Sequence, residues 1–487
     1  MQNEVKTTMT STLTPLFTDL YQLTMAYGYY QLHMHEQRAN FQILFRKNPF
    51  KGNFALCAGL ANVIDFLNHW RFQEDDLTYL STLKNPAQEP LFSPEFLDYL
   101  KQLKFNCDIY AIPEGTVVFP HTPLLRIEGP LLQCQLLETP ILNIINFQTL
   151  IATKASRVCR AAQGEEVIEF GMRRAQGPDG ALSASRAAYI GGASSTSNTL
   201  AGKLYDIPVR GTHAHSWVTA FKDELTAFKA YATVMPHNGI YLVDTYQTLN
   251  GVKNAIQIGK QLQNEGDELL AIRLDSGDMA KLSIEARKLL DEAGFKQTKI
   301  LASNSLDEYA ITHLKQQGAT ISAWGVGTAL ATAYDHPALD GVYKLSAIQN
   351  ENKEWEYKLK VSEDSIKTSN PGRHQVRRFF YNEQYMMDVI YDIDLGISDI
   401  GEAILIDQPK QIKKWDDVDA YVDLLQPIFK AGELITPLPS IHEIRQNAIR
   451  EITHFYETHD DQIYPVGLEK SLHELKQKIV ESLHTNI

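Results

Sequence analysis

The sequence is poor in cysteine and has no excess of positive charge, and both absences limit what the protein can do. Its 487 residues include four cysteines, none of them in CxxC spacing. This argues against a zinc ribbon or a disulfide framework and is typical of reduced thiols. The formal net charge is -13, whereas nucleic acids and anionic membranes are bound through an excess of lysine and arginine. We therefore expect no nucleic-acid partner and no membrane partner.

Long apolar runs are missing as well. The opening stretch, MQNEVKTTMTSTLTP, is polar and holds no signal-peptide core, and no later segment is apolar over the roughly 20 residues that a membrane-spanning helix requires. We therefore expect a cytoplasmic protein. With 44% hydrophobic and 22% charged residues, the chain has an ordinary globular composition and is long enough for about two or three packed domains.

What the sequence does contain is a recurrent event, in which an apolar run stops at a cluster of Gly, Ser, Asp or Asn and a helical pattern follows. The strand-like runs lie at 166–170, 207–210, 240–243, 269–274, 300–302 and 321–324. The last four stop at Asp244, Asp275, Ser303 and Gly325, which are 31, 28 and 22 residues apart. Successive βα units predict parallel strands with helical crossovers, and so many in series favour a barrel, in which the carboxyl ends of the strands face one cavity.

The alternation of strands and helices covers only the middle of the chain. The first part mixes strands and turns, and the last part is richer in charge, with strand-like and helical stretches interleaved. We therefore predict an N-terminal α/β domain at 1–150, an α/β barrel at 151–345, and a C-terminal domain at 346–487 that packs on the barrel.

Two neighbouring strand ends carry patterns that suit a bound phosphate. The segment 325–328, Gly-Val-Gly-Thr, closes a strand and begins a helix, so its backbone N–H groups and the Thr328 hydroxyl can surround an anion. Ser303 and Asn304 end the preceding strand and begin another helix. A tight turn that merely needs glycine explains the first pattern equally well. Together, however, the two segments suit a sugar phosphate.

Two further strand ends carry charge. Asp275 and Asp278 lie on a glycine turn and suit ribose hydroxyls or Mg²⁺, which prefers oxygen ligands; the alternative is a simple helix cap. Arg273 and Asp275 point to the same side if the strand is still extended.

Phe170 precedes Arg173 at another strand end, and an aromatic ring stacks on flat heterocycles while arginine binds phosphate. The alternative there is one core ring and one surface ion pair.

Two histidines, His213 and His215, flank a single alanine in GTHAHSW. A nucleophilic imidazole needs its second nitrogen held by an acceptor, and Asp244 at the end of the next strand is a candidate. The pair is also a familiar grip for zinc, with His237 and Asp275 to complete the shell. Burial against backbone carbonyls is the third interpretation. The spacing of the two histidines does not decide among them.

Taken together, the motifs resemble those of nicotinate phosphoribosyltransferase, in the type II phosphoribosyltransferase family. The segments that carry the resemblance span nearly the whole chain: LFTDLYQLTMAYGYY, FRKNPF, EFGMRRAQG, GTHAHSW, LVDTYQTLNGVKNAI, RLDSGDM, ASNSLDE, GVGTAL and NPGRHQVRR. The resemblance implies an ATP-coupled enzyme that makes nicotinate mononucleotide and pyrophosphate from nicotinate and phosphoribosyl pyrophosphate. It also implies an irregular α/β barrel with an N-terminal α/β domain and a C-terminal extension, Mg²⁺ as cofactor, and a homodimer with shared active sites.

Residue roles follow from the same resemblance. His215 is expected to be phosphorylated by ATP, with Asp244 orienting it, while Asp275 contacts the ribose and, with Asp278, is the candidate for Mg²⁺. The nicotinate pocket is expected to hold Phe170, Thr212, Arg273 and Tyr21, the last contributed by a partner subunit. The phosphate contacts are expected to come from Arg173, Ser303, Asn304, Gly325, Gly327 and Thr328. His213 receives no role.

Specificity is expected to favour nicotinate over nicotinamide. Nicotinamide-specific relatives place an acidic residue in a corresponding glycine-rich segment, whereas this chain has the neutral residues Ser194, Ser195 and Thr196. Two other functions stay open: a zinc hydrolase that needs no ATP, and a catalytically silent relative that only senses nucleotides. The basic segment at 373–378 is interpreted as a solvated turn, with phosphate binding as the alternative.

Overall fold

The computed structural model describes residues 13–362, 368–416, 418–459 and 463–485. These residues form two compact units. The barrel unit runs from Ile151 to Pro337, and the flanking unit combines the described residues up to Leu150 with those from Ala338 onward. The division into three domains stays a prediction, and most of the polar opening stretch lies outside the described residues. None of the described helices combines the length and the apolar character needed to cross a membrane.

The helices are α1 (Leu20–Gln31), α2 (Leu60–Asn68), α3 (Glu74–Thr82), α4 (Pro94–Gln102), α5 (Leu131–Leu136), α6 (Glu138–Ala162), α7 (Gly177–Ile190), α8 (Thr199–Tyr205), α9 (His215–Thr219), α10 (Glu224–Val234), α11 (Thr248–Glu265), α12 (Met279–Glu292), α13 (Glu308–Gln316), α14 (Thr328–Thr332), α15 (Ile441–His459) and α16 (Lys470–Thr485). Short 3₁₀ turns lie at Pro49–Lys51 and Met172–Arg174.

The strands are β1 (Arg38–Leu44), β2 (Ala55–Leu56), β3 (Asp108–Ala111), β4 (Val117–Val118), β5 (Leu125–Pro130), β6 (Glu166–Glu169), β7 (Ser195–Thr196), β8 (Ile240–Leu242), β9 (Ala271–Leu274), β10 (Lys299–Ser303), β11 (Ala323–Val326), β12 (Val342–Gln349), β13 (Trp355–Tyr357), β14 (His374–Tyr381), β15 (Gln384–Asp392), β16 (Glu402–Leu405), β17 (Ile412–Lys414), β18 (Ala420–Asp423), β19 (Gln426–Lys430), β20 (Glu433–Leu434) and β21 (Val466–Glu469).

The barrel unit is built on six parallel strands in the order β7-β6-β11-β10-β9-β8. Strands β10 and β11 pair so that Ser303 lies opposite Gly325, which brings the two predicted phosphate segments side by side. The α/β fold class is confirmed. The run at 207–210 forms only a single parallel bridge, from Val209 to Thr196. Pro208 has no N–H to extend the ladder there.

Continuous burial and close helix packing explain why these strands form. All four residues of β11 are buried, as expected for a parallel strand covered on both faces. Helix α11 packs tightly over the end of β8, because a Cβ on Gly251 would meet the Val243 carbonyl oxygen at 2.0 Å. Asp278 precedes helix α12 as its N-cap, and its carboxylate accepts from the Lys281 N–H at 3.1 Å, a standard helix cap.

The flanking unit holds two larger sheets. One has the order β13-β12-β1-β5-β3-β19-β20 and the other β17-β16-β21-β15-β14-β18, beside the small pair β2-β4. Segments far apart in sequence share the first sheet, since β12 pairs with β1 and β19 pairs with β3, both antiparallel. The core of this unit is therefore assembled from both ends of the chain.

The prediction of a solvated basic turn at 373–378 is wrong, because most of this segment belongs to β14 and its side chains are paired. Arg378 is 1% exposed and donates to both carboxylate oxygens of Asp388 on β15, at 2.8 and 2.9 Å. Arg377 pairs with Asp423 on β18 at 2.9 Å. Arg373 pairs with Glu128 and Asp394, and burial lowers the pKa of His374 to about 4. The guanidiniums in this segment are therefore paired with carboxylates and are not solvated.

Candidate active site

A cavity of about 360 Å³ lies at the carboxyl edge of the parallel sheet in the barrel unit. Its wall includes Phe170 after β6, Asp275 after β9, Ser303 at the end of β10 and Gly327 after β11. It also includes the predicted site residues Arg173, Arg273, Asn304, Gly325 and Thr328. Parallel strands end at one edge of a sheet, and for this reason residues up to about 160 positions apart in sequence line one cavity.

Arg273 lies at the centre of the hydrogen bonds around this cavity. Its guanidinium donates to Ser303 Oγ at 2.7 Å, to Thr212 Oγ1 at 3.0 Å and to Asp275 Oδ1 at 2.7 Å. The Arg273 Cζ atom lies 5.5 Å from the centroid of the Phe170 ring. The guanidinium is thus fixed in position beside an aromatic face, an arrangement that suits a flat, negatively charged ring compound.

Asp275 is held as a carboxylate. Burial opposes its ionisation, but hydrogen bonds from Ser303 and Arg273 outweigh that effect and lower the pKa of the Asp275 carboxyl. Its Oδ2 atom lies 3.8 Å from Nε2 of His215. Negative charge is therefore available at the edge of the cavity, next to an imidazole.

His215 is the first residue of α9, and its side chain is 44% exposed. The Nδ1 atom lies 3.0 Å from the Thr245 hydroxyl oxygen. Thr245, and not the predicted Asp244, thus holds the second nitrogen of this imidazole. Because Nδ1 contacts the Thr245 hydroxyl, Nε2 is the ring nitrogen that can act as a nucleophile.

Asp244 is bound to the turn after β9 instead. Its Oδ2 atom accepts from the Asp275 backbone N–H at 2.9 Å and from the Ser276 hydroxyl. Its Oδ1 atom is buried and has no hydrogen-bond partner among the described residues. Asp244 therefore fixes the backbone of the turn that carries Asp275.

His213 has a different environment from His215. It is 8% exposed, its Nε2 accepts from the Leu242 N–H at 3.3 Å, and its ring packs edge-on against Tyr231 with centroids 4.9 Å apart. Burial lowers the pKa of His213 to about 4. The ring is therefore neutral at neutral pH and serves the packing between β8 and α10.

The residues of the zinc interpretation are not gathered around one point. The Nε2 atom of His213 accepts from the Leu242 N–H of β8, and the exposed His237 pairs with Asp267. In the part of the chain that the structure describes, no three His, Cys, Asp or Glu side chains have an arrangement that could hold a metal ion. Asp278, the second predicted Mg²⁺ residue, caps α12.

The remaining predicted residues lie in different places. Tyr21 is on α1 in the flanking unit and is 49% exposed. Ser195 and Thr212 line a second cavity of about 620 Å³ in the barrel unit, which Phe170 also lines. The Ser195 hydroxyl is buried without a hydrogen-bond partner among the described residues.

Sequence reasoning missed Glu169 as a site residue. Its carboxylate is 1% exposed and accepts from the Gly171 N–H, from Ser185 at 2.8 Å and from Thr196 at 2.6 Å. These contacts tie the turn after Phe170 to β7. The only signal in the sequence was a charged residue at the end of an apolar run.

Three family models match the chain. They describe the N-terminal domain, the family and the C-terminal domain of nicotinate phosphoribosyltransferase, and they cover residues 16–146, 166–389 and 373–476. The nicotinate phosphoribosyltransferase of Bacillus subtilis (strain 168) is 41% identical over 493 residues, which cover 96% of this chain and 97% of that protein. The chain belongs to the nicotinate phosphoribosyltransferase family.

Similarity to members of this family extends to human proteins and to solved structures. The human nicotinate phosphoribosyltransferase is 33% identical over 527 residues, or 96% of each chain. A crystal structure of human nicotinic acid phosphoribosyltransferase matches with a TM-score of 0.82 at 30% identity, covering 95% of this chain and 99% of that one. A nicotinate-nucleotide pyrophosphorylase from Pyrococcus furiosus, at 22% identity and a TM-score of 0.67, shares the fold.

Proposed function

We propose that the protein is an ATP-coupled nicotinate phosphoribosyltransferase, which supplies nicotinate mononucleotide for NAD synthesis and uses His215 as its phosphate acceptor. The observation that carries the proposal is the cluster at the carboxyl edge of the sheet, where a fixed guanidinium, an aromatic ring, a carboxylate and an open imidazole nitrogen line or border one cavity. Membership of the family supports the choice of substrates. The reaction class follows from what each group can stabilise.

Nicotinate binding is assigned to Arg273, Phe170 and Thr212. The guanidinium of Arg273 pairs with the nicotinate carboxylate, the Thr212 hydroxyl is within hydrogen-bond distance of the same guanidinium, and the Phe170 ring stacks on the pyridine. Tyr21 of a partner subunit completes the pocket in the proposed homodimer. No acidic residue occurs among Ser194, Ser195 and Thr196, so the pocket accepts a carboxylate better than an amide.

In the chemical step, the pyridine nitrogen of nicotinate forms a bond to the anomeric carbon of phosphoribosyl pyrophosphate. The bond from that carbon to the pyrophosphate oxygen breaks, and pyrophosphate leaves with the bonding electrons. Positive charge grows on the ribose and is stabilised by the Asp275 carboxylate, while Arg173, Arg174 and the 325–328 segment stabilise the negative charge of the phosphates.

Asp275 also fits a role in holding Mg²⁺. One of its oxygens, Oδ1, accepts from Arg273 and Ser303, while Oδ2 lies 3.8 Å from His215 Nε2 and has no shorter contact among the described residues. Mg²⁺ binds by one or two carboxylates together with substrate phosphates, and it would neutralise the charge of the leaving pyrophosphate. Asp278 is engaged as the cap of α12, which leaves Asp275 as the protein ligand that we propose.

The coupling to ATP is assigned to His215. With Nδ1 beside the Thr245 hydroxyl, Nε2 of the neutral ring attacks the γ-phosphate of ATP, and ADP leaves. The phosphoryl group adds negative charge and acceptor oxygens next to the site, which organises the pyrophosphate position. Hydrolysis of the phosphohistidine to phosphate then favours product formation.

The test measures nicotinate mononucleotide formation from nicotinate, phosphoribosyl pyrophosphate and Mg²⁺, with and without ATP. We expect product that increases with ATP, and much less product from nicotinamide. The variant His215→Ala should lose the ATP response, while His237→Ala, a change at an exposed histidine that precedes β8, should keep it.

Other outcomes would contradict specific parts of the proposal. A full ATP response in His215→Ala would overturn the phosphohistidine, and equal turnover of nicotinamide would overturn the assigned specificity. Substrate binding without turnover under every condition would favour a nucleotide sensor. Product formation that needs bound zinc and no ATP would favour the metal-dependent alternative.

A further inference from the structure

The flanking unit contains a cavity of about 270 Å³ whose polar lining is cationic or neutral. The basic side chains on its wall are Arg46, His121, Lys344, His473 and Lys476. None of the described lining residues is an aspartate or a glutamate. In a protein with a net charge of -13, a cavity with five basic side chains and no carboxylate among its described lining residues has the charge pattern of an anion site.

Among these basic groups, Lys476 on α16 gives the strongest indication of an anion site. Its Nζ atom donates to Asn370 Oδ1 at 2.9 Å and to the Thr368 carbonyl at 3.4 Å, so its contacts among the described residues are neutral acceptors. Burial lowers the pKa of Lys476 to about 8. At neutral pH most Lys476 side chains are still charged, and a partly buried charge whose described contacts are all neutral is less stable than one with a counter-ion.

His121 provides a second, independent observation. It is 9% exposed, and its Nε2 atom is buried with no hydrogen-bond partner among the described residues, although the residue lines the cavity. Its backbone has a φ of 68° and is held by an N–H bond to the Phe45 carbonyl at 2.7 Å. An unsatisfied buried polar atom destabilises the fold, and an anion in the cavity would satisfy the N–H tautomer of this ring.

The other basic groups on the wall of the cavity also lie close enough to affect one another. Burial and the neighbouring charge of Arg46 lower the pKa of Lys344, and burial and the charge of Lys476 lower the pKa of His473. The carboxylates of Asp407, Glu138 and Glu474 act on individual basic groups from outside the lining. The basic groups therefore repel one another, and the carboxylates outside the lining offset only part of this repulsion for Lys344 and His473.

We propose that this cavity is a binding site for a phosphate dianion, free or as a small phosphate monoester, with Lys476 Nζ and His121 Nε2 as its inner donors. A tetrahedral dianion can accept from several donors at once and balances more than one cation. All of the lining residues lie outside the barrel unit that carries the proposed catalytic residues. The site does not depend on the proposed reaction.

The test is equilibrium dialysis of the full-length protein with radiolabelled inorganic phosphate, in the absence of the reaction's substrates. Because phosphate also binds at the proposed catalytic cavity, two classes of site are expected in the unmodified protein. Lys476→Gln should weaken one class about 10- to 100-fold, the effect of losing one charged hydrogen-bond donor. Arg173→Gln should weaken only the other class. If Lys476→Gln changes neither class, the site in the flanking unit is absent. If Arg173→Gln changes neither class, the proposed catalytic cavity does not bind phosphate. The two failures are therefore distinguishable.

Matched variants keep the test decisive. Lys478→Gln changes an exposed lysine on the same helix and should leave both classes intact. His121→Asn should weaken the same class as Lys476→Gln, since asparagine tolerates the left-handed backbone, and this variant serves if Lys476→Gln does not fold. Competition with glycerol phosphate separates the monoester from free phosphate. Phosphate affinity of Lys476→Gln and His121→Asn within twofold of the unmodified protein, or a single class of site that only Arg173→Gln weakens, would overturn the proposal.

Discussion

At the scale of single residues, the two histidines of GTHAHSW show how closely spaced side chains reach different environments. His215 begins α9 with its ring half-exposed beside Thr245, while His213 is buried between β8 and α10. The backbone between them turns into a helix, so the two side chains no longer share a direction. A ring nitrogen is therefore accessible to substrate at His215, whereas the ring of His213 is buried and hydrogen-bonded.

The depressed pKa of His213 predicts a pH dependence of stability. The folded imidazole binds its proton only near pH 4, whereas the unfolded one binds it near 6.5. Between these values the unfolded state holds more protons, so the free energy of unfolding falls as the pH drops from 6.5 to 4, by up to about 3 kcal/mol from this group. His213→Leu should lack this contribution, and at pH 7 it should lose roughly 1–3 kcal/mol, because the Leu242 N–H is left unsatisfied.

Urea denaturation at several pH values measures both effects. The difference between the unmodified protein and His213→Leu should be largest near pH 7 and shrink toward pH 4. His237→Leu, which alters an exposed histidine, should give a small difference that does not follow this pattern. A pH-independent difference for His213→Leu would mean that the His213 pKa is the same in the folded and unfolded states, and would contradict the prediction.

At the scale of elements, the end of β11 sets the position of the aromatic ring in the site. A Cβ on Gly325 would lie 2.6 Å from two ring carbons of Phe170 and 3.3 Å from Ser303 Cβ. The absence of a side chain at this position lets β6 and β11 bring the ring close to Arg273. The glycine is therefore required by a close approach within the sheet, and its role extends beyond a turn.

Gly325→Ala should displace the Phe170 ring and weaken nicotinate binding. Overpacking of this kind costs roughly 1–3 kcal/mol of stability, and loss of the ring's stacking, worth about 1 kcal/mol, should raise the KM for nicotinate by roughly fivefold. Steady-state kinetics, with circular dichroism to verify folding, measures both. Gly180→Ala in α7, where an added Cβ meets no atom within 4 Å, is the control and should keep the KM. An unchanged KM in Gly325→Ala would show that the ring does not contact nicotinate.

At the scale of the whole molecule, the flanking unit is stabilised by a buried ion pair that joins several elements. Arg378 binds Asp388, contacts the Val117 carbonyl at 2.8 Å and lies 3.5 Å from Glu451 on α15. Tyr464 also donates to Asp388, at 2.9 Å. Segments separated by more than 250 residues therefore meet at one guanidinium.

Arg378→Met should destabilise the protein by about 3–5 kcal/mol, because it leaves the fully buried Asp388 without its counter-ion. The double variant Arg378→Met with Asp388→Leu should be less destabilised than the single one, since it removes both charges. Arg377→Met, whose partner Asp423 is 33% exposed, should have a smaller effect. Urea denaturation compares these variants with the single change Asp388→Leu, and a double variant as unstable as the sum of the two single changes would argue against a coupled pair.

The sequence by itself determined the alternation of strands and helices and the polar clusters at the strand ends. These are local properties, carried by apolar periodicity and by the turn preferences of Gly, Ser, Asp and Asn. Parallel pairing then follows from the serial βα units, and it brings Ser303 beside Gly325 as expected. The nine predicted residues that share the 360 Å³ cavity do so for this reason.

Only the tertiary structure decided which partner each charged or polar side chain has. The contact of Thr245 with His215, the burial of His213, the pairing of Arg378 with Asp388 and the cationic cavity around Lys476 all depend on distances between elements remote in sequence. A pattern in one segment does not contain those distances, because they are set when sheets and helices pack. The sequence therefore fixes which groups reach an edge or a face, and packing determines what each of them meets there.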